Sequence, residues 1–346
     1  MNTTRWLKVL AIISLGPSLA ACSATGAPPT PSASPSLPTS VPSPTPTDTP
    51  IPETPTPAGP TPIPNDLTYE QAAHLFDDPS DVPFEVRDLS SASEQEGYTI
   101  HDIIYTAHDP QYGFVKGWTP AYLVRPAGDG PFAGILFLHW LGDASSNREE
   151  FLEEAELLAK QGVVSLLIDG YFPWGVRPRD GESDRLQVIH QVIELRRAVD
   201  FLLSQPGVDP QRIAYVGHDY GAIHGGVLSG VEKRVKAYVL MAGMGTYSDW
   251  SLDYFLGSDV DGEAYREALA VVDPIQYVPH AAPASLLFQF SSNDGFVPQE
   301  VALDFFNAAS EPKEVKWYNT SHRLDEVSQR DRLEWLANQL DLPPGP

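Results

Sequence analysis

The chain has 346 residues and carries 46 acidic against 22 basic side chains, a formal net charge of −24. This excess of negative charge argues against nucleic acid as a partner and against direct binding to an anionic membrane surface, since both need a basic footprint. The single cysteine, Cys22, excludes an intrachain disulfide framework and a cysteine nucleophile in the folded part. No obligate protein partner is evident from the sequence.

Residues 1–21 have the organisation of a lipoprotein signal peptide. Two basic residues precede the apolar run from Val9 to Leu15, which is too short to span a bilayer. The sequence LAAC that ends at Cys22 is similar to a bacterial lipobox. We therefore expect a lipid on Cys22 and an exported lipoprotein anchored to the outer face of the bacterial cell membrane. The alternative is an ordinary signal peptide with an incidental cysteine.

Residues 22–64 differ in composition from the rest of the chain. From Pro28 to Pro64 the sequence is dominated by Pro, Ser and Thr, and it has no aromatic residue and no Lys or Arg. Such a segment cannot bury a core, so it predicts a disordered stalk. Residues 65–346 have the length of one large domain.

In residues 65–346, apolar strand-like runs alternate with amphipathic helical segments. This alternation predicts an α/β fold, with a mostly parallel central sheet and helices on both of its faces. An antiparallel pair, 98–107 and 115–125, is expected at the edge of the sheet. Further strands are predicted at 133–139, 163–168, 213–216, 235–241, 284–290 and 315–318. Helices are predicted at 147–161, 184–204, 298–308 and 325–340 and directly after residue 219, with a loop and a short helix over 243–283.

The sequence Gly217-His218-Asp219-Tyr220-Gly221 marks a sharp turn between the strand at 213–216 and a helix. Glycines two positions before and two after the central residue leave room for the helix to begin very close to the strand. The pattern is that of a nucleophile elbow, usually G-x-S-x-G, with Asp219 in the nucleophile position. Taken alone, the same five residues also fit a glycine-flanked turn in which an aspartate caps a helix.

Two further residues complete a candidate triad with Asp219. Asp294 lies in a turn after the strand at 284–290, and His322 lies between the last strand and the last helix. The carboxyl ends of parallel strands meet at one edge of a sheet, and the order nucleophile, acid, histidine is that of an elbow-type hydrolase. We predict that these three residues are catalytic. Each of the latter two alone would also fit a turn aspartate or a surface histidine.

From about residue 113 onward, the chain resembles the dienelactone hydrolase and prolyl-oligopeptidase-like branch of the α/β-hydrolases. The resemblance is carried by TPAYLVRPAG, GPFAGILFLHWLG, RRAVDFLLSQPGVDPQRIAYVGHDYGA, SSNDGFVP and the region around His322. The elbow VGHDYGA is instead similar to that of haloalkane dehalogenases and epoxide hydrolases, which use aspartate. Those enzymes carry a large helical cap, whereas residues 243–283 are too few for one. The resemblance therefore implies an α/β-hydrolase fold without a large cap domain.

The same resemblance implies the remaining site residues. One oxyanion-hole N–H comes from the loop after the strand at 133–139, and the other from the residue after the nucleophile. These correspond to the backbone N–H groups of Trp140 (or Leu141) and Tyr220. Aromatic residues in loops that could overhang the site are candidates for the substrate pocket, although each also fits an aromatic that packs its own loop: Trp174, Tyr247 and Trp250.

An aspartate nucleophile restricts the chemistry. A carboxylate that attacks an acyl carbon forms a high-energy anhydride, whereas attack on an sp³ carbon that bears a halide or an epoxide oxygen forms an alkyl ester. His322 would then activate water to cleave that ester. We expect a hydrolase that acts on a small molecule with Asp219 as nucleophile or base, and no cofactor or metal. The alternatives are a carboxylic-ester or dienelactone-type hydrolase-like protein without covalent catalysis, and a non-catalytic binding protein.

Overall fold

The computed structural model describes residues 63–77, 82–109, 117–142, 146–170 and 177–343. The described residues belong to one compact unit, Pro60–Pro346. The predicted signal peptide and nearly all of the stalk, with Cys22, lie outside the described residues, as does Trp174. None of the described helices combines the length and the apolar character needed to cross a bilayer.

Within the described residues, ten strands form one sheet in the order β1-β3-β4-β6-β5-β7-β8-β9-β10, with β2 paired to β3. Strands β1 to β4 pair antiparallel, β4 is antiparallel to β6, and all later pairs are parallel. The predicted antiparallel edge pair is thus confirmed as β3 and β4. The strands are β1 Arg87–Asp88, β2 Ser93–Gln95, β3 Tyr98–Thr106, β4 Trp118–Pro126, β5 Phe132–Leu138, β6 Val163–Ile168, β7 Val208–His218, β8 Ala237–Met241, β9 Ser285–Ser291 and β10 Lys313–Tyr318.

The described α-helices follow the predicted alternation with the strands. Residues 243–283 hold two short helices and three 3₁₀ turns, rather than the single short helix expected from the sequence. This segment is too small for a cap domain, and the predicted fold class is confirmed. The helices are α1 Tyr69–Ala73, α2 Leu152–Ala159, α3 Gly181–Leu203, α4 Tyr220–Val231, α5 Tyr247–Tyr254, α6 Gly262–Leu269, α7 Gln299–Ala308 and α8 Glu326–Gln339.

The central strands are covered on both faces. Every residue of β5 is buried, and its side chains alternate between two core clusters. Leu136 and Leu138 pack in the cluster that contains α3 and α4, whereas Ile135 and Phe137 pack in the one that contains α2 and α8. This alternation follows from the two-residue period of a strand, and it explains why β5 reads as a continuous apolar run.

The elbow between β7 and α4 holds Asp219 in a strained backbone conformation, with φ 54° and ψ −107°. A Cβ atom added at Gly217 would lie 2.4 Å from the backbone of Gly221. A Cβ atom added at Gly221 would lie 2.1 Å from the carbonyl oxygen of Leu138. Both glycines are therefore required sterically, because α4 begins against β7 and β5 with no room for a side chain.

We expect Gly221→Ala to lower the free energy of unfolding by about 3 kcal/mol, because the added methyl group collides with backbone atoms that cannot move independently. Urea denaturation measures the loss. Gly295→Ala is the matched control, since a Cβ atom there meets nothing within 4 Å; it should change stability by less than about 0.5 kcal/mol. Equal losses in the two variants would contradict this steric account.

Candidate active site

The three predicted catalytic side chains lie together at the carboxyl edge of the sheet. Asp219 follows β7, Asp294 follows β9 and His322 follows β10. His322 Nδ1 lies 2.8 Å from Asp294 Oδ2, and its Nε2 lies 3.5 Å from Asp219 Oδ1. The three side chains are at most 7% exposed. The imidazole thus lies between two carboxylates in a site from which most water is excluded.

Asp294 is held in place by its own turn. Its Oδ1 accepts hydrogen bonds from the backbone N–H groups of Phe296, at 2.8 Å, and Val297, at 3.0 Å. Burial alone would raise the pKa of this carboxyl, but His322 and the two N–H groups outweigh burial and lower the pKa below its usual range. Asp294 is therefore a fixed negative charge that orients the imidazole ring.

The charges on either side of His322 decide its protonation state. Burial disfavours the imidazolium and by itself lowers the pKa of His322. The carboxylates of Asp219 and Asp294 outweigh burial and raise that pKa to about 10. At neutral pH the resting site accordingly holds an imidazolium between two carboxylates. Neutralising either carboxylate would remove part of what keeps the proton on the ring.

The two oxygens of Asp219 have different surroundings. Oδ2 accepts a hydrogen bond of 3.0 Å from the backbone N–H of Leu141. Oδ1 faces His322 and has no hydrogen-bond partner among the described residues. One oxygen is therefore held by a backbone donor, while the other lies beside the His322 imidazole without a hydrogen bond.

The prediction for the oxyanion loop needs a correction of one residue. The backbone N–H of Trp140 donates to Glu150 Oε2 at 2.6 Å, so it is engaged away from Asp219. Leu141, the alternative, supplies the N–H that reaches Asp219. Tyr220 is the first residue of α4, and the N–H groups of a first helical turn have no partner within the helix. Its role as the second donor stays a prediction.

His139 shapes the same loop. Its Nδ1–H donates to the carbonyl oxygen of Trp140 at 2.7 Å, and its Nε2 accepts from the backbone N–H of Gly170 at 2.9 Å. The two bonds fix the tautomer of the ring and tie the loop after β5 to the end of β6. The position of the Leu141 N–H thus depends on a neighbouring strand.

Among the aromatic residues of α5, Tyr254 contacts the turn that carries Asp294. Tyr247 and Trp250 are buried, and the backbone N–H of Tyr247 donates to Asp273 at 2.7 Å. The hydroxyl of Tyr254 donates to the Phe296 carbonyl at 2.6 Å. The role of Tyr247 and Trp250 in a substrate pocket stays a prediction, and Trp174 lies outside the described residues.

Sequence reasoning missed Phe296, whose side chain contacts the ring of His322. Its ring centroid lies 4.9 Å from that of His322, and the residue is 46% exposed. Phe296 thus presents a partly exposed apolar ring directly against the imidazole of His322. The sequence feature that could have identified Phe296 is its position two residues after Asp294.

Two other residues escaped sequence analysis because neither fits a catalytic pattern. Nδ1 of His218 lies 2.5 Å from Glu150 Oε1, and its Nε2–H donates to the backbone carbonyl of His322 at 3.1 Å. Burial would raise the pKa of Glu150, but His218 and the Trp140 N–H outweigh burial and lower it. His218 was visible within the elbow sequence, whereas nothing in the sequence pointed to Glu150.

The raised pKa of His322 predicts a specific pH dependence of stability. Because the folded-state value of about 10 exceeds the ordinary value of about 6.5, this stabilisation is complete below pH 6.5 and is lost as the pH rises to 10. The free energy of unfolding should fall across this window by at most about 1.4 kcal/mol per pH unit. Urea denaturation at a series of pH values measures this slope. The free energy of unfolding of His322→Gln should not fall with pH in this way, whereas that of His74→Gln, which removes an exposed histidine, should fall as in the wild type. The same slope in the wild type, His322→Gln and His74→Gln would show that the raised pKa of His322 is not its cause.

Comparison of the sequence with known proteins gives a match over part of the chain. No family model matches the chain. A polyketide transferase, ATR5, from Stachybotrys chlorohalonatus is 27% identical over 139 residues, which cover 40% of this chain and 45% of that protein. The chain thus matches less than half the length of this curated relative.

Among the described residues, no group of three or more His, Cys, Asp or Glu side chains could hold a metal ion.

Solved structures extend the comparison over most of the chain. An acetyl xylan esterase from Paenibacillus sp. R4 superimposes with a TM-score of 0.64 at 18% identity, covering 79% of this chain and 93% of the esterase. A Klebsiella pneumoniae protein named as a dienelactone hydrolase gives a TM-score of 0.50 at 15% identity, covering 70% and 98% of the two chains. Together with the strand order and the elbow, these similarities show that the chain has the α/β-hydrolase fold.

Proposed function

We propose that the protein is a hydrolase of small molecules in which Asp219 attacks an sp³ carbon. The observation that carries this proposal is the unequal environment of the two Asp219 oxygens. Oδ2 is bound by the Leu141 N–H, whereas Oδ1 is buried, has no hydrogen-bond partner among the described residues and lies 3.5 Å from His322 Nε2. The names of the structural neighbours, an acetyl xylan esterase and a dienelactone hydrolase, support the broader class of hydrolase.

In the first step, Asp219 Oδ1 attacks a carbon that bears a halide or an epoxide oxygen. The new C–O bond makes an alkyl ester of Asp219, and the bond from carbon to the leaving group breaks. The ester carries no charge, so His322 loses one of the two carboxylates that raise its pKa. Its proton then passes to the alkoxide of an opened epoxide, or to solvent when the leaving group is a halide.

In the second step, the neutral imidazole of His322 takes a proton from water, and the hydroxide attacks Cγ of Asp219. Negative charge develops on Oδ2, which the Leu141 N–H already contacts, so the donor is in place before the charge forms. Collapse of the tetrahedral intermediate breaks the Cγ–Oδ1 bond, and the departing alkoxide takes the second proton of the attacking water, which releases the alcohol and restores the carboxylate. Asp294 stabilises the imidazolium that results.

A second candidate uses Asp219 and His322 as an acid and base without a covalent step. Asp219 Oδ1 and His322 Nε2 lie 3.5 Å apart, so one substrate group placed beside the pair could contact both. The covalent route is favoured because Oδ2 already occupies the backbone donor, as the ester carbonyl would require.

A single turnover in H₂¹⁸O separates these routes, with 1-bromohexane and styrene oxide as probes. The covalent route places the label in the Asp219 carboxylate and leaves the first alcohol unlabelled, because water attacks Cγ. Mass spectrometry of the Asp219 peptide and of the product measures both. Asp219→Asn should lower turnover by at least about 10³-fold, and the Asp253→Asn control should leave it unchanged. Label in the alcohol together with an unlabelled Asp219 peptide would favour acid–base catalysis.

We also propose that the protein is exported and held at the outer face of the membrane by a lipid on Cys22, with residues 22–64 as a spacer. The proposal rests on the LAAC sequence and on the composition of the stalk. The wild-type protein should partition into the detergent phase of Triton X-114 and incorporate an alkynyl fatty acid. Cys22→Ala should lose the label and enter the aqueous phase, whereas Ser23→Ala should behave like the wild type. Labelled Cys22→Ala would disprove the anchor.

A further inference from the structure

A carboxylate–imidazole pair outside the triad, Glu150 and His218, contacts two loops of the active site. Glu150 Oε2 accepts the Trp140 N–H at 2.6 Å, and its Oε1 lies 2.5 Å from His218 Nδ1. The other ring nitrogen of His218 donates to the backbone carbonyl of His322 at 3.1 Å. One pair therefore touches the oxyanion loop, the elbow and the loop of the catalytic histidine.

We propose that Glu150 and His218 are positioning residues that hold the Leu141 N–H and the His322 imidazole in register with Asp219. This inference rests on the proposed function, since it concerns the same site. Fixing the Trp140 N–H on Glu150 directs the next N–H of the loop, that of Leu141, to Asp219 Oδ2. Fixing the His322 carbonyl on His218 sets where the imidazole enters the space between the two carboxylates.

The surroundings of His218 keep its ring immobile. The residue is fully buried, and the indole of Trp140 lies parallel to it, with the centroids 5.4 Å apart and 4° between the planes. Arg323 covers the Trp140 ring, with its guanidinium carbon 5.0 Å from the centroid. Both polar atoms of the ring have partners, and its face is packed. A ring held this firmly can transmit the position of Glu150 to the His322 loop.

The hydrogen-bond pattern restricts where the protons lie. The His322 carbonyl can only accept, so His218 Nε2 must carry a hydrogen. The hydrogen between His218 Nδ1 and Glu150 Oε1 is shared within the pair. A glutamine at position 150 could accept from Trp140 with its oxygen and donate to His218 Nδ1 with its nitrogen. Glu150→Gln thus keeps every hydrogen bond while it removes the charge, and Glu150→Ala removes both.

The first test needs no substrate. In protein labelled with ¹⁵N-histidine, NMR follows the titration of His322, whose ring faces Asp219, Asp294 and, at 5.6 Å, His218. We expect Glu150→Ala to lower the midpoint by about one pH unit, because the ring shifts away from its carboxylates. Glu150→Gln should leave it within a few tenths of a unit. The control Glu153→Ala removes a carboxylate that lines the same surface cavity as Glu150, and it should change nothing.

The second test uses turnover of 1-bromohexane and styrene oxide. Misplacement of both the donor and the base should slow the second step, so Glu150→Ala should lower kcat about 10²-fold with little change in KM. Intact-mass spectrometry should then show the alkyl adduct on Asp219. Glu150→Gln should stay within about threefold of the wild type, and His218→Phe, which keeps a flat ring against Trp140, should resemble Glu150→Ala.

The outcomes separate this inference from the proposed function. If His322→Gln traps the adduct while Glu150→Ala turns over normally and keeps the His322 midpoint, the positioning role is wrong and the covalent mechanism stands. If Glu150→Gln shows the same losses as Glu150→Ala, the pair acts through its charge and the positioning inference also fails. If no variant forms an adduct, the covalent mechanism fails, and the NMR midpoints alone decide whether Glu150 positions His322.

Discussion

The candidate active site depends on one proton, held on His322 between two buried carboxylates. Without that proton, Asp219 and Asp294 would be two negative charges with little solvent to screen them, and unpaired buried charges are strongly destabilising. With it, the site carries one net negative charge instead of two. The same balance would serve the proposed chemistry, because alkylation of Asp219 would remove one negative charge and lower the affinity of the His322 ring for its proton. Fold stability and the proposed chemistry thus depend on the same three charges.

The elbow holds Asp219, the proposed nucleophile, in a strained backbone conformation. Asp219 has a positive φ, and Gly217 and Gly221 leave no space for a side chain on either side of it. Strain of this kind persists only where the surroundings fix the backbone. Here β7 lies inside the sheet, and the Asp219 N–H donates to the Met241 carbonyl of β8 at 2.7 Å. The buried sheet therefore supports a conformation that the elbow alone would not keep.

Much of the fold and of the site could be predicted from local patterns. Apolar runs located the central strands, and their carboxyl ends placed Asp219, Asp294 and His322 at one edge. The sequence could not decide between Trp140 and Leu141, because that choice depends on Glu150, ten residues beyond Trp140 along the chain. It also missed part of the helical structure in 243–283, where Asp273 binds the first turn of α5 from 26 residues away. Long-range hydrogen bonds of this kind leave no periodic signal.

The aspartate in the elbow changes which carbonyl oxygen can accept a hydrogen bond from the Leu141 N–H. A serine at this position has no second oxygen to accept from the Leu141 N–H, so that N–H could donate to the carbonyl oxygen of a substrate. The Asp219 carboxylate is larger than a serine hydroxyl group, and its Oδ2 lies 3.0 Å from the Leu141 N–H. A substrate acyl oxygen would have to displace it, leaving a buried carboxylate oxygen unpaired at a cost of roughly 1–3 kcal/mol or more. The donor is therefore better placed for the carbonyl of an ester formed on Asp219 itself, which is the intermediate that attack on an sp³ carbon produces.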